Sequence, residues 1–213
     1  MSGLFFILDN MKTFTYLIIY SSFLFLFYSC SIEEEFSFNK DYSGHYSFEF
    51  DYSALLSLDT TGSAGVEMSK GYDEMELELK KIEGISNILI KSDDVVGNVS
   101  VSYDFSSIDA INQANYDNEN QRYTKFFTLN GNKIHFISDF SKELDEYKDP
   151  SMDATELLNN IESFVEYTMT IRFEKNIKVI DLQNFKKIDD HTLSFTLDEE
   201  SLTEESTFNV KVK

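Results

Sequence analysis

The chain is poor in the residues that build most recognisable sites. Its 213 positions hold one cysteine, one proline, no tryptophan and eight glycines. A single cysteine cannot close an internal disulfide, so no disulfide framework reports the redox compartment. Basic residues number 18 against 38 acidic ones, and only Arg122 and Arg172 are arginine. A phosphate backbone is held by clustered Lys and Arg, so the net charge of −20 argues against a nucleic-acid partner. It also disfavours electrostatic docking onto anionic lipid. The three histidines, His45, His135 and His191, lie far apart with no histidine at i+4 and no nearby cysteine, so zinc-type spacing is missing. There is no G-x-S-x-G elbow, no phosphate-binding or dinucleotide glycine spacing, and no D-x-[DN]-x-[DN]-G calcium loop. No metal and no cofactor is expected. No repeat of 20–50 residues is evident.

Aromatic residues are what the chain has in quantity. With 20 Phe, 12 Tyr and 42% apolar residues, it is too apolar for a disordered acidic tail, and the charge is expected to decorate a folded surface. Residues 1–29 carry only Asp9 and Lys12 as charges, so the acidic excess belongs to residues 30–213.

The amino-terminal stretch is organised around the lone cysteine. From Met11 it reads "MKTFTYLIIYSSFLFLFYSC": a lysine, an apolar and hydroxylated run, the small Ser29, then Cys30. That is the layout of a signal peptide. Met11 is a better start than Met1, whose prefix places Asp9 in the region that is normally basic. The segment resembles a bacterial lipoprotein signal, in which a peptidase cuts between the small residue, here Ser29, and a cysteine that takes a thioether-linked diacylglycerol, here Cys30. Phe27 and Tyr28 are bulkier than the usual lipobox residues. Two or more acyl chains, each buried CH₂ contributing about 0.8 kcal/mol, make a stable anchor where one does not. The alternatives are a buried structural cysteine or an uncleaved membrane helix, for which 17 residues from Thr13 to Ser29 are at the short limit.

The next residues, "SIEEEF", resemble the acidic signal that many Bacteroidota lipoproteins carry after the cysteine for display on the outer face of the outer membrane, with Glu33, Glu34 and Glu35 in that role. A solvated linker is the bland reading of the same glutamates. The resemblance implies a membrane partner through a lipid anchor, an outer-membrane location and surface exposure. Asp59-Thr60-Thr61 is similar to the O-glycosylation site of secreted proteins of that phylum, which marks Thr60. The domain organisation expected is a signal peptide over 1–29, a lipidated cysteine with an acidic tether over 30–41, and one domain over 42–213.

Along the mature chain, "HYSFEFDY" alternates as a half-buried strand, and "SNILIKSDDVVGNVSVSYDF" as two strands around a tight connection. Asn130-Gly131 between two β-rich runs predicts a type I′ hairpin. Helices are predicted around Met75, Leu79 and Ile82 with Gly84 as the stop, over "SSIDAINQA" with Ser106 and Asp109 near the cap, and after Pro150 through Leu157, Leu158, Ile161 and Phe164. Four strands, near 167–174, 177–182, 191–197 and 207–213, finish the chain. The fold class expected is α+β, a mainly antiparallel sheet with about three helices packed on one face. The "DYSGHYSFEF" opening and the element order look like LppM-like lipoprotein domains, a group associated with envelope lipids.

Function is the thinnest part. The leading expectation is a non-enzymatic binding or interaction module on the outer membrane, with an unidentified envelope ligand or protein as partner. The alternative is a surface hydrolase of glycans or lipids using dispersed carboxylates, since two catalytic acids can be far apart in sequence. A purely structural or assembly role is the third.

Overall fold

The computed structural model describes residues 30–54, 72, 74–93, 95–117, 122–138, 165–198 and 205–213. The expected third helix after Pro150 and the sites at Ser29 and Thr60 lie outside the described residues. Thirteen strands are described. They are β1 (Cys30–Phe38), β2 (Gly44–Asp51), β3 (Ile85–Asp93), β4 (Asn98–Phe105), β5 (Tyr116–Asp117), β6 (Arg122–Tyr123), β7 (Lys125–Asn130), β8 (Lys133–Ser138), β9 (Val165–Phe173), β10 (Ile177–Gln183), β11 (Phe185–Lys187), β12 (Thr192–Thr196) and β13 (Ser206–Val212). Helical residues 74–79 (α1) precede β3, and α2 (Ile108–Ala114) follows β4.

Seven strands form one sheet in the order β11-β12-β9-β1-β2-β4-β3, and four form a second in the order β10-β13-β8-β7. Every pairing is antiparallel except β1 with β9, which runs parallel from Cys30 opposite Val165 to Phe38 opposite Phe173. The two sheets pack through aromatic side chains. On the large sheet Phe36 and Phe38 each meet the Phe127 ring of the small one at 5.2 Å, and Phe173 meets Phe208 edge-on at 6.4 Å. Phe136 stacks on Phe208 at 5.2 Å within the small sheet. These rings are 4% exposed or less, and each such buried side chain contributes about 1.5–3 kcal/mol.

This overturns the expected α+β architecture. The layer that covers the large sheet is a second sheet, the structure is mostly β, and the described helices are short pieces at its margin. The physical reason is that β7, β8 and β13 each turn an aromatic face inward: Phe127, Phe136 and Phe208 are paired across the three strands. α2 leans on β7 instead of covering the sheet. Its N-cap is Ser107, whose hydroxyl accepts from the Ala110 N–H at 3.2 Å, one position beyond the expected Ser106. In α1, Leu79 is buried and Ile82 just beyond it packs against the core, Met75 is exposed, and Gly84 at φ +90° closes the segment.

The β7–β8 hairpin forms where expected, with its turn moved by one residue. Asn130 pairs with Lys133, which leaves Gly131-Asn132 as the loop, and of these only Gly131 has positive φ, +62°. Glycine at the first loop position with an ordinary second residue is the pattern of a type II′ turn, so type I′ is corrected.

Candidate functional site

β1 gathers the residues marked in the sequence. Residues 30–38 of the expected tether form a strand, β1, which lies between β2 and β9 near the middle of the large sheet. Cys30 is 3% exposed and pairs with Val165 of β9, while pairing with β2 starts one residue later, at Ser31. Side chains alternate in and out along a strand, so the three glutamates do not share one surface. Glu33 is exposed, Glu35 is half-buried on the same outer face, and Glu34 points inward with Phe36 and Phe38.

Glu34 is 3% exposed and has three partners. Its Oε1 accepts from the Tyr46 hydroxyl of β2 at 2.8 Å. Its Oε2 accepts from the Tyr167 hydroxyl of β9 and lies 3.3 Å from Lys125 Nζ, which reaches across from the small sheet. Register explains the convergence: Glu34 pairs with Phe48 on one side and Met169 on the other, so Tyr46 and Tyr167 sit two residues along on the same face. Tyr103 of β4 stacks on Tyr46 at 4.8 Å. Burial, followed by the nearby Glu34 charge, pushes the Tyr46 and Tyr103 hydroxyls well above the ordinary tyrosine value. They stay neutral, and Tyr46 donates to the carboxylate. A buried carboxylate with two hydroxyl donors and an ammonium is a satisfied polar layer, and the groups around it are occupied with one another.

The outer face of the same strands is different in kind. Glu33, Glu35, Ser47, Glu49, Thr168 and Thr170 line a shallow depression of about 250 Å³. Arg172 Nε lies 3.0 Å from Glu35 and Ser37 donates to Glu35 at 2.8 Å, so one of the three carboxylates is already engaged. Two other depressions flank the helices. One of about 350 Å³ lies between α1 and the β5–β6 hairpin and includes the exposed Met75 and Tyr123. The other, of about 410 Å³, runs along α2 and the edge of β7. There the Asn112 side chain takes the place of a neighbouring strand: its Nδ2 donates to Phe127 O at 2.8 Å and its Oδ1 accepts from Phe127 N at 2.8 Å.

The remaining polar groups singled out by type serve local structure. Nδ1 of His45 lies 2.7 Å from Asp104, that of His135 3.2 Å from the Phe208 carbonyl, and that of His191 3.0 Å from the Phe173 carbonyl. Asp93 and Asp189 accept from backbone N–H groups of their own turns, and Asp190 pairs with Lys187 at 2.6 Å. Among the described residues no group of three or more His, Cys, Asp or Glu is placed to hold a metal ion. The Glu34 layer is the arrangement that sequence reasoning missed. Its one local signal is the alternation Ile32, Glu34, Phe36, Phe38, in which a single acid occupies a core position.

No family model matches the chain, and no curated protein matches it. Among solved structures it is similar to the folded domain of the LppM protein of Mycobacterium tuberculosis, determined by NMR, with 13% identity and a TM-score of 0.46 over 87% of this chain and 90% of that one. At that identity and TM-score the likeness says nothing of ligand, activity or place in the cell.

Proposed function

We propose that the protein is a lipid-anchored envelope protein, attached through Cys30, whose two-sheet domain acts as a binding or interaction module on the outer membrane and not as an enzyme. One coincidence carries the proposal. The uncharged apolar run ends at Ser29, the sole cysteine comes next, and that cysteine belongs to β1 of the large sheet. A signal peptide cut there leaves every described strand whole. Lipidation requires the first residue of β1 to turn its side chain out of the interior. The ladder with β2 runs from Ser31 to Phe38 and does not include Cys30.

With Cys30 itself in the sheet, the anchor holds the domain close to the membrane surface. The acidic outer face of the large sheet, with Glu33 and Glu49 adjacent on neighbouring strands, is then the surface offered to a partner. A carboxylate- and hydroxyl-rich face suits a cationic or polyhydroxylated ligand.

The test is intact-mass analysis of protein extracted from membranes, followed by protease shaving of whole cells. The expected mass is that of a chain starting at Cys30 with diacylglycerol and acyl chains added, lost on shaving. A Cys30→Ala protein that stays with the membrane and keeps residues 11–29 would sink the anchor.

A further inference from the structure

The turn between β3 and β4 includes Val95, Val96 and Gly97. Val95 is 92% exposed and Val96 61%. One exposed valine is ordinary, but two in succession at a hairpin tip, on a backbone tied down from both sides, call for a reason. Asp93 Oδ1 accepts from the Val95 and Val96 N–H groups at 3.1 and 3.0 Å, and the Gly97 N–H donates to the Asp93 carbonyl at 2.7 Å. The Gly97 carbonyl in turn accepts from the N–H of Tyr52, a fully buried residue, at 2.7 Å. The valines are thus presented on a fixed turn.

Register fixes which end of the molecule they occupy. Asn98 is opposite Asp51, and Asp51 is opposite Ser31, so the tip projects past the end of the large sheet at which β1 starts. Cys30 is at that end, and the chain that leads into it carries no charged residue from Thr13 to Ser29. The exposed Ile188 sits at the opposite end, in the turn between β11 and β12, where the Phe173 N–H donates to the His191 carbonyl.

We infer that Val95 and Val96 form a second, shallow membrane contact, seated at the headgroup–acyl boundary of the leaflet that the lipid on Cys30 enters. The inference rests on the anchor proposed above. With Cys30 in the sheet, an anchor on it brings this end of the sheet to the bilayer surface, and an apolar tip there loses water on contact. Asp51 and Asp93 flank the tip, so the contact is with the apolar part of the interface and not with anionic headgroups. Two points of contact define an orientation where one leaves the domain free to swivel, and the acidic outer face then stands up from the membrane.

The experiment uses full-length protein extracted from membranes and reconstituted into vesicles of phosphatidylethanolamine with a minor fraction of phosphatidylglycerol. Val95→Cys and, as control, Ile188→Cys are labelled with an environment-sensitive dye. A thioether-blocked Cys30 leaves the introduced thiol as the reactive one. Quenching by a lipid spin-labelled near the headgroup is expected to be at least about threefold stronger at position 95 than at 188, and to fall when Val96→Asp is added. Equal quenching at both positions, with acyl chains confirmed on Cys30 by mass, would overturn the tip contact and leave the anchor standing. A mass without acyl chains would overturn the anchor, and the inference with it.

Discussion

Phe36 and Glu34 are two residues apart on the same face of one strand, and they sit in opposite kinds of interior. Phe36 lies among rings drawn from both sheets, with Phe127 and Tyr46 at 5.2 and 5.0 Å. Glu34, one layer along, is equally buried and holds an ammonium and two phenol hydroxyls. The aromatic layer is stabilised by removal from water and tolerates any filling of the right volume. The polar layer gains little over an apolar filling but is specific, because each of its members depends on the others.

The sharpest way to break the comparison is to truncate both. Phe36→Ala is expected to cost about 3–5 kcal/mol in denaturant unfolding. Glu34→Ala is expected to cost a similar amount, about 3–5 kcal/mol, by leaving Lys125 and two hydroxyls without their acceptor. The layers separate on rescue. Replacing the cluster together, as Glu34→Met, Tyr46→Phe, Lys125→Met and Tyr167→Phe, is expected to recover most of the Glu34 loss. A combined variant no more stable than Glu34→Ala would place the polar layer with the aromatic one.

Alkaline pH probes the polar layer together with Tyr103, which stacks on it. The Tyr46 and Tyr103 values are raised in the folded state, so their contribution is complete below the unfolded value, near 10, and declines as pH rises above it. Each costs about 1.4 kcal/mol per pH unit over that window. Tyrosinate absorbance is expected to show two hydroxyls that ionise only with unfolding, and Phe substitutions at both sites should remove that step.

Next in size, Asn112→Ala strips the Phe127 N–H and carbonyl of their partners at the margin of the aromatic layer, for a loss of about 2 kcal/mol. The smallest effect falls outside both layers. Hydrogen bonds from Asn87 and His45 hold the Asp104 carboxyl below its ordinary value. Its contribution is present above about pH 4 and is lost as pH falls through the lowered value, and at this exposed site it is under about 1 kcal/mol. Asp104→Asn should flatten the acid limb of the stability curve by that amount and leave the alkaline limb unchanged.

The aromatic layer was legible in the sequence and the polar one was not. Val99, Val101, Tyr103 and Phe105 alternate as a strand should, and all four are buried on β4. β2, the β7–β8 hairpin and the closing strands carry the same signal. β1 has it too, but three glutamates in a row suggest a solvated linker, and the partner that makes Glu34 tolerable inside is Tyr167, 133 residues away. No local window contains that contact. The second sheet was hidden for a related reason: alternation says that β7, β8 and β13 have an inner face, and only the pairing says that this face meets the large sheet in place of helices.

The placement of β1 sets an order of assembly. Its β2 neighbour follows within a few residues, whereas its β9 neighbour begins only at Val165, so the local pairing forms before the distant one. During that interval β1 is an open edge, the kind of surface that recruits strands from other chains. Three consecutive negative charges on that edge repel a second copy of the same chain. Once β9 arrives with Tyr167, the middle charge, Glu34, is enclosed and becomes part of the seal.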